Sequence, residues 1–80
     1  MGVAELIAIL TAEFTFRTPV VPGTPLLTGG FIDSLQFSEL LSLLEERFAI
    51  SLDLIDLGYE NFDTPIQMCE MIGRVRGASD

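Results

Sequence analysis

The chain lacks the residue types that most often carry out enzymatic chemistry. It contains no histidine, no lysine and no tryptophan, and Cys69 is its single cysteine. A cysteine nucleophile needs a neighbouring base, and there is no histidine to act as one. No acid–base pair or group of metal-ligating residues is recognisable, so the sequence predicts no catalytic residue and no metal site. A single cysteine also excludes an internal disulfide, which favours a cytoplasmic location.

Positive charge is scarce as well. Four basic residues stand against twelve acidic ones, which leaves a formal net charge of −8 at pH 7. Such an acidic surface argues against binding to nucleic acid or to an anionic membrane. It favours protein partners with basic surfaces, which are found by electrostatic steering. No apolar run approaches the roughly 20 residues needed to cross a bilayer, so no membrane partner is expected.

The length of 80 residues predicts a single domain over residues 1–80, which we expect to be a monomer. Apolar residues recur at helical spacing from Val3 to Phe16, which predicts a first helix that ends before Pro19. The proline- and glycine-rich segment from Arg17 to Asp33 predicts a long connecting loop. The residues expected to anchor this loop in the core are Leu26, Leu27, Phe31 and Ile32.

A second helix is predicted from Ser34 to Phe48, because its apolar residues share one face. These inward-facing residues are Phe37, Leu40, Leu41, Leu44 and Phe48. The stretch from Ala49 to Glu60 favours a short helical turn, although the alternation from Ile50 to Leu54 is also typical of a strand.

The last helix has clear start signals. Thr64 is a good N-cap, Pro65 suits the first helical position, and Gln67 completes a capping box. Gly77 is expected to end this helix, and the small apolar Cys69 is expected to be buried within it. Its other apolar positions are Ile66, Met68, Met71, Ile72 and Val75. The predicted fold is therefore all-α: a small bundle of three main helices plus one short helix, with a long loop between helices one and two.

Ser34 stands where the long loop meets the second helix. A serine before a helix is usually its N-cap, but Asp33 is a better candidate because Gln36 follows three residues later, as a capping box requires. If Asp33 is the cap, Ser34 is the first helical residue and its hydroxyl has no structural role. A phosphate ester on that hydroxyl would lie at the positive end of the helix dipole.

The surroundings of Ser34 resemble the attachment site of acyl carrier proteins and peptidyl carrier domains. The similar residues are Leu-Thr-Gly-Gly-Phe-Ile-Asp-Ser-Leu over 27–35, Glu39-Leu40, and the run from Leu44 to Phe48. This resemblance spans roughly Leu6 to Ile72, and it implies that Ser34 receives a 4′-phosphopantetheine arm from coenzyme A. It also implies that Asp33 orients the site and assists recognition by the phosphopantetheinyl transferase. Four residues are implied to face partner enzymes: Leu35, Glu39, Glu45 and Glu46.

The chain also departs from the pattern of many fatty-acid carriers. Gln36 stands where those carriers often have an acidic residue, and Ser38 and Ser42 stand where they often have larger apolar ones. The stretch from Glu60 to Pro65 is similar to freestanding carriers of specialised biosynthesis. The resemblance thus implies a carrier, not an enzyme, that holds an aminoacyl, aryl or short acyl group as a thioester. Its implied partners are the transferase, an acyl- or aminoacyl-loading ligase and downstream processing enzymes.

Two alternatives remain at the level of sequence. The chain could be a helical protein-interaction module without a prosthetic group, in which Leu35 anchors a partner and Ser34 only caps a helix. It could also be a housekeeping fatty-acid carrier. The eight acidic residues from Asp33 to Asp63 fit a surface used for partner encounter, or merely a solvated surface.

Overall fold

The structure, a computed structural model, describes residues 2–53 and 58–79. Within these residues the chain forms α1 (Val3–Glu13), α2 (Ser34–Phe48), a 3-10 helix (Tyr59–Phe62) and α3 (Pro65–Ser79), with no strand. The predicted all-α fold with a long loop between the first two helices is confirmed. Residues 50–53 form neither helix nor strand, and residues 54–57 of the predicted short turn lie outside the described residues. The short helix instead lies at Tyr59–Phe62.

Helix α1 is shorter than the sequence predicts. It ends at Glu13, and Phe14 has extended backbone angles, φ −122° and ψ 150°. In an extended segment, residues two apart point to the same side. Phe14 and Phe16 therefore both pack against the core, with ring centroids 6.2 Å apart. A helix through Phe16 would turn these two rings to opposite faces, so burial of both rings outweighs continuation of the helix.

Helix α2 has the predicted bounds. Its inward face buries Phe37, Leu40 and Leu44, while Leu41 and Phe48 are half-buried against the same core. Ala49 follows the helix in the left-handed region, at φ 53° and ψ 49°, and its N–H donates to the carbonyl oxygen of Glu45. This conformation turns the chain away from the helix axis.

Helix α3 starts as predicted but ends later. The Gln67 N–H donates to Thr64 Oγ1 at 3.2 Å, and the Thr64 N–H donates to Gln67 Oε1 at 3.2 Å. Gly77 does not end the helix, which continues to Ser79. A glycine ends a helix when it takes a positive φ, and Gly77 does not take one. The prediction that Cys69 is buried is wrong, since it is only half-buried at the edge of the core.

The core draws on the long loop as well as on the helices. Leu26 and Ile32 are buried in it, and Leu27 and Phe31 are half-buried against it, so the four predicted anchors are confirmed. The helices contribute the buried side chains Leu6, Leu10, Phe37, Leu40, Leu44, Met68, Met71 and Ile72. The loop is thus packed onto the bundle on the side where it leads into α2. In the described part of the chain, no helix has the length and apolar character needed to span a membrane.

Candidate functional site

Ser34 is the first residue of α2, and its neighbour Asp33 performs the capping. Asp33 Oδ1 accepts a hydrogen bond from the Gln36 N–H at 2.8 Å, and Gln36 Oε1 accepts one from the Asp33 N–H at 3.0 Å. This reciprocal pair is the predicted capping box. Ser34 is exposed, and among the described residues its hydroxyl has no hydrogen-bond partner. The chain therefore presents this hydroxyl to solvent without a structural role.

The Ser34 hydroxyl lies at the positive end of α2. The first amides of a helix have no partner within it, and they leave a partial positive charge at that end. Asp33 Oδ1 accepts a hydrogen bond from the Gln36 amide, and the Phe37 amide donates to the Asp33 carbonyl oxygen at 2.8 Å. The amides of Ser34 and Leu35 remain at the helix start. This end of the helix suits a negatively charged phosphodiester on the serine.

A surface groove adjoins Ser34. Its volume is about 490 Å³, and it is lined by Leu27, Ile32, Asp33, Ser34, Phe37 and Tyr59. The Tyr59 ring lies against the Phe37 ring with centroids 5.4 Å apart, and Phe37 meets the buried Phe62 edge to face at 5.5 Å. One wall of the groove is therefore aromatic and is supported from within by the core.

The loop that leads to Ser34 is held by Asp63. Asp63 Oδ1 accepts hydrogen bonds from the Leu27 N–H at 3.1 Å and the Thr28 N–H at 2.9 Å, while Thr28 Oγ1 donates to Oδ2 at 3.0 Å. We call this set of contacts the Asp63 clamp. The carbonyl oxygen of Asp63 also accepts from the Leu26 N–H at 2.7 Å. The clamp fixes the loop to the residue that precedes the N-cap of α3.

Two glycines shape the turn between the clamp and the serine. The Gly29 N–H donates to the carbonyl oxygen of Pro25 at 2.8 Å, so the two backbones approach closely. A Cβ at position 29 would collide with that carbonyl oxygen. Gly30 has a φ of 75°, which side chains rarely tolerate. The Gly29-Gly30 pair thus allows the tight turn through which the loop continues to Asp33.

The residues expected to face partner enzymes divide into two groups. Leu35 is 71% exposed, and Glu39 and Glu46 are also exposed. Their spacing of four and then seven residues places them along one stripe of α2. Glu45 lies off that stripe and is half-buried, and its Oε2 accepts a hydrogen bond from the Leu52 N–H at 2.9 Å. The structure brings Asp33 and Ser34 together and groups Leu35 with Glu39 and Glu46, but not with Glu45.

The sequence alone indicates no individual role for Asp63 or Tyr59 in this region. Asp63 was one acid among many, and its partner Thr28 is 35 residues away along the chain. The start of α3 at Thr64 places Asp63 just before a helix, but no local pattern identifies what its carboxylate contacts. Tyr59 packs against Phe37, which lies on another helix, so no pattern local to Tyr59 indicates its position.

The model of the family described as "Phosphopantetheine attachment site" matches residues 17–72, which is more than half of the chain. The match covers the long loop, α2, the 3-10 helix and the first half of α3. No curated protein and no solved structure gives a significant match. Among the described residues, no group of three or more acidic or cysteine side chains is arranged to hold a metal ion.

Loss of the Asp33 cap should destabilise the fold. Asp33→Ala should lower the free energy of unfolding by about 0.5–2 kcal/mol, because the Gln36 amide loses its acceptor. Asp33→Asn should retain most of the stability, since an asparagine oxygen caps about as well. Urea unfolding of the three proteins makes the comparison. Equal stability of wild type and Asp33→Ala would contradict the capping role and with it the reason that Ser34 is available.

Loss of the Asp63 clamp should release the loop before Ser34. Asp63→Ala removes the acceptor for two amides and one hydroxyl, and should cost roughly 1–3 kcal/mol of stability. Thr28→Val removes only the hydroxyl donor and should cost less. Amide proton shifts of Leu27 and Thr28 should move upfield in Asp63→Ala and stay near their wild-type values in Thr28→Val. Unmoved shifts in Asp63→Ala would show that the clamp does not form in solution.

Proposed function

This chain belongs to the phosphopantetheine-bearing family of acyl and peptidyl carrier proteins, and from that premise we propose that Ser34 is the residue to which the arm is attached. The proposal rests on the different roles of two neighbouring residues at the start of α2. Asp33 caps the helix, which leaves the exposed Ser34 hydroxyl available for a covalent bond. The prosthetic group of the family is 4′-phosphopantetheine.

The surroundings of Ser34 fit this group. The hydroxyl is exposed, so a transferase can reach it, and the helix N-terminus favours a phosphodiester. The groove beside Ser34 offers apolar surface next to the attachment point. Ser38 and Ser42 are also exposed on α2, but they lie one and two turns further along, away from the amides of the helix start. Ser34 is therefore the best-placed serine of the helix.

The chain contributes an oxygen nucleophile and a recognisable surface. In the attachment reaction the Ser34 hydroxyl loses its proton and forms an oxygen–phosphorus bond, while the phosphoanhydride bond of coenzyme A breaks and adenosine bisphosphate leaves. Once attached, the arm supplies a thiol that holds an acyl group as a thioester. Domains of this family generally act as tethers and not as catalysts. We assign the same role to this chain.

We further propose that the cargo is an aminoacyl, aryl or short acyl group and that the pathway is one of specialised biosynthesis. The support is the polar character of α2 at Gln36, Ser38 and Ser42, together with Phe37 and Phe62, whose contact fills the space behind the groove. A loading ligase and a downstream processing enzyme would then be partners besides the transferase. A cytoplasmic location is part of the same proposal.

The attachment site has a direct test. Incubation of the wild-type chain with coenzyme A and a broad-specificity transferase should increase its mass by one phosphopantetheine group. Ser34→Ala should fold with a stability within about 0.5 kcal/mol of wild type, because the side chain is exposed, and should gain no mass. Ser38→Ala is the matched control and should be modified like wild type.

Two results of this mass measurement would contradict the proposal. Modification of Ser34→Ala would place the arm on another residue. A wild-type chain that stays unmodified, while a reference carrier in the same reaction is modified, would favour an interaction module without a prosthetic group.

The exposed stripe of α2 that contains Leu35, Glu39 and Glu46 should set the rate of encounter with partner enzymes, through its two acidic residues. Glu39→Lys should lower the association rate constant with the transferase by roughly two- to tenfold, since it reverses a charge near Leu35. Glu5→Lys makes the same change on α1 and should have a smaller effect. Higher salt should lower the wild-type rate, because the Debye length falls from about 10 Å at 0.1 M to about 3 Å at 1 M.

Stopped-flow measurements of the two variants at two salt concentrations make this comparison. Equal rates for Glu39→Lys and Glu5→Lys would show that only total charge matters. A rate that depends on neither substitution nor salt would leave the acidic stripe with no part in encounter.

A further inference from the structure

We propose that the exposed ring of Tyr59, packed against Phe37 beside Ser34, is a docking surface for an aromatic acyl group carried on the arm. This inference rests on the proposed attachment at Ser34 and narrows the proposed cargo to the aryl class. It concerns a surface on the outside of the bundle, formed by a residue of the 3-10 helix and a residue of α2.

Tyr59 is placed unusually for a large aromatic side chain. It is 62% exposed, although its ring lies in contact with the buried Phe37. One side of the ring lies against Phe37, at 5.4 Å and an interplanar angle of 37°. Phe37 is in turn held edge to face by Phe62, which is fully buried. The three rings form a row, with one tilted and one edge-to-face contact, that begins in the core and ends in solvent at Tyr59.

This row of rings supports Tyr59 from one side. The inner two rings are packed in the core, so the outer ring has a firm support on one side and open solvent on the other. An exposed aromatic surface of this kind gains from a second flat ring, because offset-stacked and edge-to-face pairs are favourable beyond the area that they bury. An aliphatic acyl group of similar size lacks the flat face that makes this contact.

The position of Ser34 identifies the occupant. Ser34 and Tyr59 line the same groove, together with Phe37 and the loop residues Leu27 and Ile32. A group tethered at Ser34 is confined near this groove, so its effective concentration there is high and a weak contact is enough to populate the docked state. A partner protein has no such advantage. The tethered aryl group is therefore the occupant to which we assign this surface.

The chain offers a clean spectroscopic readout of this contact. Tyr59 is its single tyrosine and it has no tryptophan, so the tyrosine ring protons in an NMR spectrum belong to one residue. The chain would be loaded at Ser34 with a benzoyl or a hexanoyl group on the arm. The intact mass would confirm one loaded group per chain before any spectrum is recorded.

The benzoyl form should show nuclear Overhauser contacts between the benzoyl protons and the Tyr59 ring, with upfield ring-current shifts of both. The hexanoyl form should show neither. Tyr59→Leu keeps an apolar side chain without a flat face, and should lower the ratio of docked to undocked benzoyl group by roughly two- to twelvefold. Val21→Ala changes an exposed apolar residue that does not line the groove, and should leave the ratio unchanged.

The outcomes separate the two proposals. A chain loaded at Ser34 whose benzoyl protons match those of a free benzoyl thioester would overturn the docking surface and leave the attachment site intact. Equal docking of benzoyl and hexanoyl groups, or equal docking in wild type and Tyr59→Leu, would overturn the aromatic class. Failure of the wild-type chain to be loaded at Ser34 would overturn both proposals.

Discussion

The hydrogen bond from the Gln36 amide to the Asp33 carboxylate is the contact on which the rest of the site depends. It starts α2 at Ser34 and not one residue later. If Ser34 were the cap, its oxygen would accept a hydrogen bond from a backbone amide. A bond from that oxygen to phosphorus would then interfere with the hydrogen bond that starts the helix. Because the neighbouring residue takes this structural role, a bond formed at the serine oxygen would not remove the cap. The groove and the stripe of α2 adjoin a hydroxyl that has no hydrogen-bond partner in the part of the chain that the structure describes.

The acidic residues of this part of the chain serve two different purposes. The carboxylates of Asp33, Asp63 and Glu45 accept hydrogen bonds from backbone amides at helix ends and in loops. Those of Glu39 and Glu46 are exposed on α2. The net charge alone does not distinguish the two groups. An acid that holds a loop or a helix end contributes to shape as well as to charge, so substitutions at the first three positions test stability and encounter at once.

Local signals account for the parts of the structure that the sequence predicts well. The capping boxes at Asp33 and Thr64 and the helical spacing of apolar residues locate the start of two helices, because these contacts join residues three or four apart. The end of α1 and the exposure of Cys69 were predicted wrongly, since both depend on how distant residues fill the core. The Asp63 clamp and the contact between the Tyr59 and Phe37 rings join segments far apart in sequence, and no local pattern encodes such pairings.

The Asp63 clamp also links the loop before Ser34 to the start of α3. Leu26, Leu27 and Thr28 all donate amides to Asp63, which immediately precedes the N-cap of α3. Separation of the loop from the start of α3 breaks the hydrogen bonds of all three amides. We therefore expect the loop before Ser34 to open together with that helix end, so that its amides exchange with solvent deuterium together with those of Gln67 and Met68. The Ser34 side chain is exposed to solvent, although the loop that leads to it is hydrogen-bonded to the residue before the last helix.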